Sequence, residues 1–412
     1  HIRDIMIKNL AFQAELDSIA SRSAGVLIAP FISNSELWRL DLKIAENECL
    51  TPDHEVLTPT GWVKISSVTE DTDVAQYDVY KELASFVKPT AIIQKDYNGI
   101  MYHFNNIQNN LSQMVTPKHR MVKMHETTGE VVIELAETLN FKQRNKGRFK
   151  TFISGNINGT TKNLTDLERF YIAVQADGYV SDRYTGDLCG TIPVWFGLTK
   201  ERKCTRLKLL CDSLGFEMIE LTGRKENGNV KAQRKFKVNV PLEYCLDFKN
   251  FYWVNLKDKD SNWCKEFILE ITKWDGSVIK GLPHMSTTNK DVAEKIQAIG
   301  FLAGYQTHYR INVDNRSEKF SDCHIIRFNP VKYLDGQCIK KQEVNYSGKV
   351  YCISVPTSFF IVRHNGAVSI TGNCLHSATY THIIKMCLKD TNEFFDEVYK
   401  NEQILGRAEK VS

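Results

Sequence analysis

None of the eleven cysteines stands in a C-x-x-C pair, and their number is odd, so neither a disulfide framework nor a zinc ribbon is supported. Most read as buried thiols, Cys204 and Cys211 on one helix face among them. No apolar run approaches the length of a membrane span, which excludes a helical membrane protein. No strong charge is present either. The net value is +4, so any binding of nucleic acid must come from local clusters. His1 opens the chain without a basic-then-apolar leader, and the expectation is a fragment of a longer cytoplasmic polypeptide. What is present is a 412-residue chain with a 42% hydrophobic share, enough for two or three folded units.

The style of the sequence changes twice. Residues 1–48 carry helical periodicity, with Ile7, Leu10, Ala11, Phe12, Leu16, Ile19 and Ala20 recurring in an i, i+3, i+4 pattern. From Cys49 the text turns to short strands and turns, such as Pro59-Thr60-Gly61-Trp62, Val63–Val68 and Met101–Phe104. A polar stretch from Asn140 to Lys150 is a candidate boundary. Mixed helix and strand follow to about 330, and strands resume at Gly348–Ser354 and Phe359–Val362. After Cys374 the helical pattern returns, with Tyr380, Ile383, Ile384 and Cys387 on one face. A β-rich block interrupts a helical protein.

The edges of that block carry chemistry. It begins Cys49-Leu50-Thr51-Pro52 and ends Thr371-Gly372-Asn373, followed by Cys374; between them lies Thr116-Pro117-Lys118-His119. An Asn carboxamide can close on its own backbone carbonyl and cut the chain, while a cysteine thiolate beside it accepts an acyl group. Together with Gly348–Val355, these segments resemble the signature blocks of inteins, in family order. The resemblance implies an all-β, horseshoe-shaped splicing domain (Hint-type) that needs no cofactor. Cys49 would attack the Glu48 carbonyl, His119 would protonate the departing amide nitrogen from an ordinary pKa of about 6.5, and Thr116 would hold the site's hydrogen bonds. Cys374 would take the acyl group, and Asn373 would cyclise to release the block. Three positions depart from the family habit: Gly372 stands where a penultimate His is frequent, and Cys352 and Ser358 where an Asp and a His are frequent. His364 is the nearby histidine that could take over.

Inside the block, Glu168–Gly178 and Phe267–Gly276 are two amphipathic helices ending Asp-Gly, each followed by strands and a second helix ending Leu214-Gly215-Phe216 or Ile299-Gly300-Phe301. This repeat is similar to single-chain LAGLIDADG endonucleases, an α/β fold of duplicated αββαββα units. The resemblance implies that Asp177 and Asp275 bind Mg²⁺ beside the scissile phosphates, where a divalent ion assists phosphodiester hydrolysis. The basic residues Arg202, Lys203, Arg206, Lys208, Arg224, Lys225, Lys231, Arg234, Lys235 and Lys237 would meet double-stranded DNA at the intein-free host gene. Trp274 stands where that family prefers a small residue at the helix contact.

Joining Glu48 to Cys374 places Glu48, His376 and Tyr380 at i, i+3 and i+7 of one helix, the Glu-x-x-His pattern of di-iron helices. With Asn9–Gln13, Leu16–Ile19, Asn401–Ile404 and Arg407–Glu409, the flanks resemble the ribonucleotide reductase small (β) subunit. By that resemblance Glu48 and His376 are iron ligands of a di-iron centre, Tyr380 bears the radical, and the partners after splicing are the large subunit and a second small subunit. The expected units are 1–48 and 374–412 as all-α ferritin-like host segments, 49–155 and 334–373 as the splicing domain, and 156–333 as the endonuclease. The rival readings are an endonuclease with degenerate splicing ends, a decayed endonuclease in an active intein, and a helical metal-binding protein with a structural β insertion.

Overall fold

The fold was obtained as a computed structural model, which describes residues 48–142, 147–180, 190–224, 232–244, 249–313 and 321–373. The expected helical flanks, with Cys374, His376 and Tyr380, lie outside the described residues.

Strands from the two ends of the 49–373 block interleave. In a seven-stranded sheet, Phe359–His364 lies between Glu55–Thr58 and Val74–Asp78, with Glu55 opposite Arg363 and Phe360 opposite Gln76. Phe359–His364 turns back through Asn365-Gly366, both at positive φ, into Ala367–Gly372. Asn-Gly is the residue pair that a two-residue hairpin of matching twist requires. A second sheet is a long ribbon. Ala91–Asn105 runs antiparallel to Lys340–Ser354 over fifteen residue pairs, and Ser112–Val115 adds a third strand. These pairings close a loop of roughly 300 residues, an entropic cost that grows only slowly with length.

The polar stretch 140–150 is not a boundary. Phe149–Phe152 pairs with Arg120–His125 on one side and Tyr333–Asp335 on the other, inside the β-rich unit. Asn156–Ile157 also belongs to the seven-stranded sheet, through a parallel pairing with Leu83–Val87.

Between these segments stands the repeat. Helices α1 (Asp166–Asp177), α2 (Glu201–Leu214), α3 (Ser261–Trp274) and α4 (Lys290–Leu302) alternate with two four-stranded sheets of identical strand order. Each half runs αββαββ among the described residues, one helix short of the expected unit. Local chemistry sets the helix ends. Thr165 and Glu168 form a capping box on α1, Asp260 and Asn289 cap α3 and α4, and Gly215 at φ +68° stops α2.

Helices α1 and α3 pack side by side, burying Phe170, Ala173 and Val174 on one and Phe267, Ile268 and Ile271 on the other. Trp274 is accommodated there: its ring is buried and its indole N–H donates to Glu270 at 3.0 Å. Glu270 is wholly buried, with Arg169 at 3.1 Å and Arg206 at 2.5 Å. Helix α4 docks on the seven-stranded sheet. Arg363 joins Glu55 (2.7 Å) to Glu294 (2.9 Å), Trp62 donates to the Glu294 carbonyl (3.2 Å), and Lys295 donates to the Thr60 carbonyl.

Removing Glu270 takes the buried carboxylate away from Arg206 and leaves Arg169 with Glu266 alone at close range. Glu270→Ala should lower the unfolding free energy by about 3 kcal/mol, read from a urea midpoint; an unshifted midpoint would mean the network is idle.

Candidate splicing and nuclease sites

The strand pairing brings Cys49 and Asn373 to one buried centre, and both are closed to water. Cys49 is held from both sides of its peptide. Its N–H donates to Thr116 Oγ1 at 2.8 Å, and the Thr116 N–H donates to the Cys49 carbonyl at 3.0 Å. Thr116 thus sits where its hydroxyl can act on the nitrogen of the Glu48–Cys49 peptide. Cys352, instead of an acid, packs with Cys49, Met101 and Val350 in a small apolar cluster.

His119 lies in the same core, its Nε2 sharing a hydrogen bond with Thr371 Oγ1 at 2.6 Å. Burial pushes its pKa down to about 3, while the Glu48 backbone opposes the shift by favouring the protonated ring. The ring is therefore neutral at physiological pH. An ordinary pKa of about 6.5 would have left part of the population protonated near neutral pH, whereas the buried ring rests as a proton acceptor. Nδ1 has no hydrogen bond of good geometry among the described residues, although the Glu48 backbone acts on the ring.

The residue that joins the two ends was not anticipated. Arg120 directly follows His119 and is buried with it. Its Nε donates to Glu48 Oε2 at 3.3 Å and to the Asn373 carbonyl at 3.2 Å. Its Nη2 donates to the same carbonyl at 2.8 Å and to Asn373 Oδ1. The Asn373 carboxamide nitrogen donates to the Val355 carbonyl at 2.9 Å, and its backbone N–H donates to the Ser358 carbonyl at 2.9 Å. Ser358 is thus a turn residue, at φ +67°, that fixes the Asn373 backbone. The available signal was adjacency to the Thr-x-x-His motif.

Gly372 has a steric cause. A Cβ there would lie 2.4 Å from the Arg120 carbonyl oxygen and 2.8 Å from its Cβ, so no histidine fits. His364 does not take over. It pairs with Ala367 at the hairpin tip, whereas Gly372 pairs with Phe359 at the opposite end. There it bonds Ser112 (2.7 Å) and Asp53 (2.9 Å) and stacks on His54 at 4.2 Å between centroids. Asp53, His54 and His364 place ligand-type atoms within 4.8 Å of one another. The two rings are parallel to within 8°, however, so one ion cannot lie in both ring planes. His54, its pKa lowered to about 4 chiefly by burial, accepts the Met114 N–H at 3.2 Å and ties the Cys49 segment to the Thr116 strand.

The second site lies at the ends of α1 and α3. Asp177 and Asp275 face Lys203, whose Nζ is 2.5 Å from Asp177 and 3.8 Å from Asp275. Burial, then the charge of Asp177, raises the pKa of Asp275. This negative charge crowded in a half-buried cleft is what a divalent cation would relieve, so the donor set fits one. Lys249 approaches the same acids. It donates to the carbonyls of Val174, Gln175 and Gly178 at the end of α1, and burial lowers its pKa against the pull of both aspartates.

The basic residues divide. Lys203 serves the acids, Arg206 is bound to buried Glu270, and Arg234 is held by Glu201 and Glu220. Lys235 and Lys237 share the open sheet face with Trp195. Across the second sheet, Arg310, Arg327, His284 and His308 line a groove of about 1190 Å³, closed at one edge by Gln108–Asn110 of the β-rich unit. Lys225 and Lys231 lie outside the described residues.

No family model matches the chain. It is similar to the ribonucleoside-diphosphate reductase subunit beta of Aquifex aeolicus, 28% identical over 371 residues, covering 84% of this chain and 53% of that protein. It is also similar to the C-terminal section of a DNA-directed RNA polymerase subunit beta from Stigeoclonium helveticum, 23% identical, covering 83% of this chain and 38% of the relative. The chain thus spans about half of the reductase subunit and less of the polymerase section. Among solved structures, the AceL NrdHF class 3 split intein aligns at 12% identity and a TM-score of 0.30, covering 79% of this chain and 99% of its own. The homing endonuclease I-DmoI aligns at 13% identity and a TM-score of 0.27, covering 40% and 88%.

A side chain at position 372 would push Arg120 from Asn373. Gly372→Ala should cut cleavage after Asn373 at least about tenfold, measured by mass spectrometry of released C-terminal peptide; parental cleavage would place the decisive contact elsewhere.

Proposed function

We propose that this chain is a self-splicing precursor: block 49–373 excises itself and joins Glu48 to Cys374, and the same block carries a site-specific DNA endonuclease. The observation that carries the splicing reading is Arg120, whose one guanidinium touches the residue before the block and the last residue of it. Two splice junctions 325 residues apart in sequence (373 − 49 + 1) share a dry centre with an activated carbonyl.

Neutral His119 takes the Cys49 thiol proton and returns it to the Cys49 nitrogen as sulfur attacks the Glu48 carbonyl; Thr116 steadies that nitrogen through its hydroxyl. The Cys374 thiol accepts the acyl group. Asn373 then closes on its own carbonyl, whose oxygen lies under the Arg120 donors. With every step inside one chain, orientation alone can supply roughly 7–11 kcal/mol.

In the nuclease half, Asp177 and Asp275 would hold a divalent metal, Mg²⁺ on the family resemblance, which would polarise water and steady the leaving oxygen of a phosphodiester. Lys203 pairs with both acids and Lys249 adds positive charge beside them, and the open sheet faces with Lys235, Lys237, Arg310 and Arg327 suit the backbone of duplex DNA.

The host reading has its own support. Relatives named for two unrelated activities share most of this chain, as expected of a portable insertion with differing surroundings. On the family resemblance, Glu48, His376 and Tyr380 would be metal ligands and radical site of a small subunit that pairs with a large one and a second copy. In the precursor Glu48 is bound to Arg120 and is not helical, so the ligand register can form only after joining.

Variants test both activities. Cys49→Ala should stop joining but allow slow cleavage after Asn373, and Asn373→Ala should leave branched or N-cleaved species; normal joining in either would end the splicing reading. Asp177→Asn should abolish double-strand cutting of the intein-free gene while preserving binding. Wild-type cutting would remove Asp177 from the site.

A further inference from the structure

Glu48 precedes the N-terminal junction, yet its side chain reaches the C-terminal one. Its Oε2 accepts from Arg120 Nε at 3.3 Å, and that same N–H is shared with the Asn373 carbonyl at 3.2 Å. The two side chains are only 7% and 10% exposed, so water and salt screen the pair poorly. Building on the splicing reading above, we propose that Glu48 is a positioning residue that restrains cleavage at Asn373 until the Cys49 junction has opened.

The physical reason lies in the charge on one oxygen. When the Asn373 Nδ2 lone pair adds to the Asn373 carbonyl carbon, the π electrons move to oxygen and an oxyanion forms. Collapse restores the C=O and breaks the C–N bond to Cys374. The Cys374 nitrogen leaves as an amine with the proton given up by Nδ2, and the block keeps a succinimide. Arg120 donates to the reacting oxygen, so its positive charge lowers the barrier.

Glu48 opposes this in two ways. Its carboxylate draws on the Nε–H that the oxyanion needs, and its negative charge repels the oxyanion through a poorly screened interior. Once the acyl group leaves Cys49, the Glu48 backbone is no longer fixed there, and the guanidinium acts on Asn373 alone. The order of the reaction is thereby written into one shared donor: cleavage accelerates after acyl transfer, so the host segments are joined before they can separate.

The test uses the full chain carrying Cys49→Ala, in which Glu48 cannot be transferred. Release of the 374–412 peptide is followed by mass spectrometry. Adding Glu48→Gln, which keeps size and removes charge, should speed release about tenfold, and Glu48→Asp should stay nearer the parent. Arg120→Ala should slow release and make it indifferent to residue 48, a non-additivity that a merely structural role would not give. Release equal to or slower than the parent's with Glu48→Gln would overturn the restraint, because Glu48 would then be aiding Arg120 or standing aside. Release from none of these chains, the Cys49→Ala parent included, would overturn the Asn373 assignment itself, and the restraint with it.

Discussion

One guanidinium holds the centre of this structure together. A guanidinium carries five N–H donors in a fixed fork, and burying that of Arg120 demands acceptors on nearly every side. It finds them in the Glu48 carboxylate, the Asn373 carbonyl and the Asn373 side-chain oxygen. The demand for acceptors therefore draws two distant points of the chain together and polarises one of them. Gly372 follows from the same constraint, since the Arg120 backbone fills the space a side chain would need.

The nuclease half is built on a related conflict. Two aspartates end neighbouring helices, where helix dipoles do not favour them, and burial together with the charge of Asp177 raises the cost of ionising Asp275. Lys203 and Lys249 offset part of that charge and leave the pair suited to a divalent ion. The two halves are not loosely tethered. Arg363, on the strand that leads to the Asn373 hairpin, is bound to Glu294 of α4, and apolar residues such as Leu57 and Phe301 belong to one continuous core.

Much of this was legible in the sequence because the chemistry is local there. Cys49, Thr116-x-x-His119 and Asn373-Cys374 are short motifs, and the Asp-Gly helices announce themselves by period and repetition. The boundary at 140–150 misled because a run of lysines and arginines looks like a linker, whereas Lys150 sits on a paired strand with its ammonium over the Tyr333 ring. Arg206 looked like a DNA contact because nothing in a linear text shows that Glu270 is buried opposite it. Arg120 was missed for the same reason: its role exists only once residues 48 and 373 meet. The state of His119 was also hidden, since burial and not residue type decides its charge.

The most direct measurement is the intact mass of the protein recovered after expression of the whole chain. Splicing should give two species, the free block 49–373 and a joined 87-residue product (48 + 39), whose masses sum to that of the precursor while the terminal succinimide is intact. Both should vanish when Cys49 and Asn373 are replaced together. A single unprocessed species from the unaltered chain, folded and stable over days, would contradict it.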